Sequence, residues 1–107
     1  MDNVTKITTL EELKHVIDNS NDVVVNFSAP AWCRPCQRFY PHFEAVAKQR
    51  SDIDFVYVDV DPDATGMIVD FGPDFTILSV PTVIRVKGGK IKEINSRTAP
   101  ALIRELS

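Results

Sequence analysis

The chain has 107 residues, 44% hydrophobic and 25% charged, with 12 basic and 15 acidic side chains giving a net charge of −3. That is the make-up of one globular domain, 1–107, with a single buried core and the habit of a soluble monomer. Scattered basic residues exclude a nucleic-acid footprint, and no apolar run nears the roughly 20 residues of a membrane span. Met1-Asp2-Asn3-Val4 lacks a basic-then-apolar leader, so a cytoplasmic location is expected.

Val4 to Ile7 is a short β-leaning stretch. Thr9-Leu10-Glu11-Glu12 reads as a capping box, with Thr9 as N-cap and Glu12 reaching back. The helix it opens carries Leu10, Leu13, Val16 and Ile17 on one face and stops at Asn19-Ser20-Asn21-Asp22. Val23 to Phe27 is a nearly continuous apolar run, the signature of a strand buried on both faces. After the loop to Trp32, the residues Cys36, Phe39, Tyr40, Phe43, Val46 and Ala47 recur at helical spacing. Pro41 falls inside that helix, deletes the hydrogen bond to the Gln37 carbonyl and is expected to kink it.

A third strand is expected over Ile53 to Val60, and Asp61-Pro62 opens a helix that ends near Phe71-Gly72-Pro73. Pro81 to Lys87 and Ile91 to Asn95 are strands joined at Gly88-Gly89, a strong hairpin signal. Thr98 caps a last helix with Leu102, Ile103 and Leu106 on its apolar side. The order βαβαβαββα predicts an α/β fold, a central mixed sheet with its last two strands antiparallel.

The two cysteines, Cys33 and Cys36, are three apart, where a bridge constrains the unfolded chain little. Stability is therefore a poor reason for the pair. Strand, loop, then C-x-x-C at the opening of a helix puts Cys33 where unpaired N–H groups and the helix dipole favour an anion. The thiolate is the nucleophile, and Arg34 adds a positive charge of the same sense. Cys36, about one turn inside, can meet the Cys33 sulfur and is the more buried of the two. Cys33 then attacks a substrate disulfide and Cys36 resolves the mixed disulfide. Trp32 shields one side and offers an apolar contact. A zinc site would need two more ligands, and only His15 and His42 are available, at unconvincing spacing. His42 reads as a surface or packing residue. No metal and no organic cofactor is implied.

The segment Trp32-Cys33-Arg34-Pro35-Cys36 resembles the W-C-G-P-C motif of the thioredoxin family, with Arg34 in place of glycine. Pro41 matches that family's helix proline, Val80-Pro81-Thr82 its cis-proline loop and Gly88-Gly89 its hairpin turn. The resemblance covers essentially the whole chain. It implies the thioredoxin fold with helices on both sheet faces, a redox-active Cys33–Cys36 disulfide, and an enzyme that reduces protein disulfides and is recharged by a thioredoxin reductase. It also implies a cis Val80–Pro81 bond, with the Val80 backbone pairing with an extended substrate, as in strand addition. Trp32, Arg34 and Pro35 then tune the site.

Several positions depart from the family pattern. A buried Asp–Lys pair is usual where this chain has Asn26 and Tyr57, and Asn cannot take a proton. Because both members change together, no charge is orphaned. Cys36 is then activated by water or by the Cys33 thiolate. Ser28 stands where an aromatic is common, and the stretch around Pro73-Asp74-Phe75-Thr76 is longer than usual. Arg97 replaces a glycine on the docking surface and, with Arg34, would favour an acidic partner; a solvated surface arginine is the alternative. Two rival readings stay open: a more oxidising oxidase or isomerase, since Arg34 favours the reduced form, and a non-redox binding module of the same fold.

Overall fold

The computed structural model describes residues 3–60 and 79–107. The described elements are β1 (Val4–Ile7), α1 (Leu10–Asn19), β2 (Asp22–Ser28), α2 (Arg34–Gln49) and β3 (Asp54–Asp59), then β4 (Thr82–Lys87), β5 (Lys90–Ile94) and α3 (Ala99–Leu106). The helix expected from Asp61-Pro62 and the long stretch around Pro73 to Thr76 lie outside the described residues. Observed strand ends differ from the expected ones by a residue each: β3 starts after Ile53, β4 after Pro81, and β5 stops before Asn95.

The strands form one sheet in the order β1-β3-β2-β4-β5. β1 and β2 flank β3 in parallel, while β4 runs antiparallel to β2 and β5 antiparallel to β4. β2 is central, and every residue from Val23 to Ser28 is buried. Its side chains alternate between two cores. Val23, Val25 and Phe27 pack with Leu13 of α1, and with Val56, Val58 and Ile84. Val24 packs on the other face with Phe39, Phe43 and Val46 of α2 and Leu102 and Leu106 of α3. Helices thus cover both faces, which is why β2 reads as a continuous apolar run. Phe43 anchors the second core, its ring centroid 5.4 Å from Phe55 and 5.9 Å from Phe39.

Local chemistry sets the element ends. The Thr9 hydroxyl accepts from the Glu12 N–H at 3.1 Å. The Glu12 carboxylate accepts from the Thr8 and Thr9 hydroxyls, at 3.0 and 3.2 Å. Glu12 thus reaches back to the N-cap as expected, through the threonine hydroxyls. Gly88 and Gly89 have φ of 59° and 79°, the left-handed pair a two-residue hairpin turn demands. α2 runs on through Pro41. Thr98 caps α3 through the Ala101 N–H, and His42 of α2 accepts the Ala99 N–H on its Nδ1 at 2.9 Å. At the other end of α3, the Leu106 carbonyl accepts from Arg85 and Arg50, at 3.1 and 3.3 Å.

Candidate active site

β2 ends at Ser28, directly before a tight turn. The N–H groups of Trp32 and Cys33 both donate to the Ala29 carbonyl, at 3.3 and 2.9 Å. The Gln37 side chain donates to the Pro30 carbonyl at 2.7 Å, tying the loop to the first turn of α2. Val60 N–H donates to the Ser28 carbonyl at 2.8 Å, so β3 fixes the other side of the loop. This turn delivers Cys33 as the N-cap of α2, with Pro35 in the first turn, where its missing N–H costs nothing.

The Cys36 backbone N–H donates to the Cys33 sulfur at 3.2 Å. It is one of the N–H groups that no carbonyl within the helix can satisfy. Cys33 and Cys36 are joined by a disulfide, with their Cα atoms 5.2 Å apart. Burial separates them little, at 5% and 2% exposed. What distinguishes them is orientation toward the helix end. Cys33 receives the N–H; Cys36 supplies it.

Opposite the pair lies the Val80–Pro81 bond, which is cis. The Val80 carbonyl oxygen sits 3.7 Å from the Cys33 sulfur. The Val80 side chain packs with Ala29, Cys33 and Cys36. Thr82 donates its hydroxyl to the Ser79 carbonyl at 2.6 Å, closing the loop from the strand side. Trp32 is 64% exposed, and Arg34 and Pro35 are exposed beside it.

Behind the cysteines, Asn26 and Tyr57 are register partners on β2 and β3, as the sequence pattern anticipates. They do not bond to each other. Tyr57 donates its hydroxyl to Ser28 at 3.2 Å, and its ring meets Tyr40 edge-on at 5.1 Å. Burial pushes the Tyr57 phenol above its ordinary value, opposed by the Ser28 hydrogen bond and reinforced by Asp59. No charge is orphaned here, but a dipole is: Asn26 is 1% exposed, and neither end of its amide has a hydrogen-bond partner among the described residues. A groove of about 620 Å³, lined by Cys36, Tyr40, Tyr57 and Asp59 among others, opens beside this cluster.

The orphaned amide gives a prediction of opposite sign to most core substitutions. Replacing Asn26 with the near-isosteric leucine removes two unsatisfied polar atoms and should stabilise the fold by about 1–2 kcal/mol. Denaturant unfolding measures this directly; a clear loss of stability would mean the amide is satisfied after all.

Arg97 is neither a solvated surface side chain nor a free cation. It is half-buried, with its guanidinium donating to the carbonyls of Ile94, Ser96 and Pro81, at 2.9, 3.0 and 3.2 Å. Burial pushes its pKa below the ordinary arginine value, opposed by the charges of Glu93 and Glu105. Among the described residues no group of His, Cys, Asp and Glu side chains gathers to hold a metal. None of their helices is long and apolar enough to cross a membrane.

The thioredoxin family model matches residues 4–106. Thioredoxin from Mycoplasma genitalium is 37% identical over 90 residues, covering 84% of this chain and 82% of the relative. Thioredoxin from Mycolicibacterium smegmatis is 37% identical over 95 residues, covering 86% and 81%. Among solved structures, oxidised mitochondrial thioredoxin 3 from Saccharomyces cerevisiae aligns with a TM-score of 0.75 at 28% identity, over 95% of this chain and 92% of its own. With sheet, cysteine pair and cis-proline loop arranged as described, this match over nearly the full length makes the chain a member of the thioredoxin family, a thiol–disulfide oxidoreductase exchanging protein disulfides through Cys33 and Cys36.

Proposed function

We propose that this chain works as a reductase, a single 1–107 domain acting as a monomer in the cytoplasm, in which Cys33 is the nucleophile and Cys36 the resolving thiol. The observation that carries the assignment of roles is the Cys36 N–H aimed at the Cys33 sulfur at 3.2 Å. In the reduced protein that donor and the helix N-terminus favour the thiolate at Cys33, and among the described residues no equivalent donor serves Cys36.

The Cys33 thiolate attacks one sulfur of a substrate disulfide; the substrate S–S bond breaks and its other sulfur leaves as a thiolate. Cys36 then loses its proton and attacks the Cys33 sulfur. The mixed disulfide breaks, the second substrate thiol departs, and the Cys33–Cys36 bridge holds the oxidising equivalents. A thioredoxin reductase returns two electrons to that bridge.

Substrate alignment falls to Val80 and Pro81. A cis bond turns the Val80 backbone toward the cysteines, where it can pair with an extended substrate segment. Trp32, exposed beside the pair, gives an apolar contact, while Arg34 and Pro35 set the charge and shape of the rim. Asn26 cannot take the Cys36 proton and Cys33 is bonded to substrate at that step, so of the two expected acceptors water takes it.

Insulin reduction, with and without a thioredoxin reductase, tests this reading together with the equilibrium potential against glutathione. A reductase shows turnover driven by the reductase and a potential at or below about −220 mV, the upper end of the cytosolic pool. Arg34 in the first helical turn is the feature favouring the oxidase or isomerase reading. A potential far above the glutathione pool would establish that reading instead.

A further inference from the structure

Arg97 occupies a junction that no local pattern announces. Pro81 precedes β4, whose pairing with β2 runs from Thr82, so the Pro81 carbonyl lies beyond that ladder. Ile94 is the last residue of β5. The Arg97 guanidinium spans both strand ends, donating through Nη2 to Pro81 and through Nη1 to Ile94 and Ser96. Its plane also lies over the Phe39 ring of α2, 5.3 Å from the centroid. One side chain therefore joins the cis-proline loop, the end of β5 and the helix that carries Cys36. A planar fork with donors on two nitrogens and a flat face suits this junction; a lysine ammonium is a compact point charge with neither.

We propose that Arg97 is a positioning residue for protein substrates: it clamps the Pro81 carbonyl and so holds the Val80 backbone in register with the Cys33 sulfur. The proposal rests on the reading that an extended substrate pairs with Val80. Val80 is held on one side by the bond from Thr82 to Ser79, and on the other by the bond from Arg97 to Pro81. Without the second anchor the loop must be ordered by each arriving substrate, and that ordering is taken from the binding energy. A small disulfide that makes no backbone pairing needs only the sulfur, so its reaction is independent of the clamp.

The test compares two disulfides. The pre-reduced protein is mixed with insulin over a range of concentrations, and separately with neutral 2,2′-dipyridyl disulfide, using Arg97→Met and Arg97→Lys. Methionine keeps the apolar contact with Phe39 and removes every donor. Lysine keeps the charge but gathers its donors on one nitrogen, without the planar fork. The half-saturating insulin concentration should rise about tenfold in Arg97→Met and by less in Arg97→Lys. The limiting rate and the dipyridyl rate should stay within about twofold of the parent.

An unchanged insulin dependence overturns the proposal. So does an equal fall on both disulfides, which marks a merely structural role. If Arg97→Met does not fold, Arg97→Lys alone decides: a raised half-saturation with an unchanged dipyridyl rate supports the clamp, and parent-like behaviour refutes it. A parent protein unable to reduce insulin would defeat the underlying functional reading. A parent that reduces it, with variants that match, defeats only the role of Arg97.

Discussion

Replacing Cys33 with serine should reduce insulin turnover to the uncatalysed level, a loss of at least about 1000-fold, because a serine hydroxyl is not ionised where a thiolate is. Cys36→Ser should behave differently. Its Cys33 remains at the helix mouth, with the backbone N–H of residue 36 still available to the sulfur. It should attack once and stall, leaving a substrate bound through Cys33 that mass spectrometry detects as a stable adduct. The two variants thus separate attack from resolution. Multiple turnovers by Cys36→Ser, or an adduct trapped on Cys36 in Cys33→Ser, would reverse the proposed roles.

The second large effect lies far from the site. Asp22, at the start of β2, receives a two-pronged hydrogen bond from Arg85 of β4, at 2.7 and 2.9 Å, with both side chains about seven-eighths buried (13% and 15% exposed). Arg85 also donates to the Leu106 carbonyl, so the pair fastens the end of α3 to the sheet. Asp22→Asn leaves a largely buried guanidinium without its counter-charge and should cost about 2–3 kcal/mol at neutral pH. The Arg85 hydrogen bond holds the Asp22 carboxyl below its ordinary value, against the penalty of burial; the charges of Arg85 and Lys87 act in the same direction. A carboxyl lowered on folding contributes stability that is complete above its unfolded value, near 3.8, and is lost as pH falls through the folded one. The gap between parent and Asp22→Asn should therefore be constant at neutral pH and shrink below about pH 4. Urea unfolding across that range measures it; a gap independent of pH would show that geometry, not charge, is what the asparagine disturbs.

The elements most legible in the sequence are those whose cause is local. Thr9 and Thr98 cap helices with their own hydroxyls. Gly88-Gly89 is legible because two successive positive φ angles call for glycine. Cys33 at a helix mouth follows from a strand, a short loop and a helical stripe in succession. The unread features depend on partners distant in the chain. Arg97 looks like a surface charge until Pro81 and Phe39 close around it. His42 falls among helix residues, and only the arrival of α3 reveals the Ala99 N–H as its partner. The Asp22–Arg85 pair joins residues 63 apart. Asn26 and Tyr57 could be placed together from the family pattern. Their failure to bond, and the turn of Tyr57 toward Ser28, depend on side-chain packing.

Everything proposed for catalysis depends on an anion at Cys33, held by a backbone N–H at the mouth of α2. The most direct measurement is the rate of Cys33 alkylation by iodoacetamide against pH, in the reduced protein with Cys36 as serine. The account predicts a midpoint clearly below about 8.5, the ordinary thiol value, and a return toward that value on unfolding in urea. A folded-state midpoint at or above the ordinary value would contradict it.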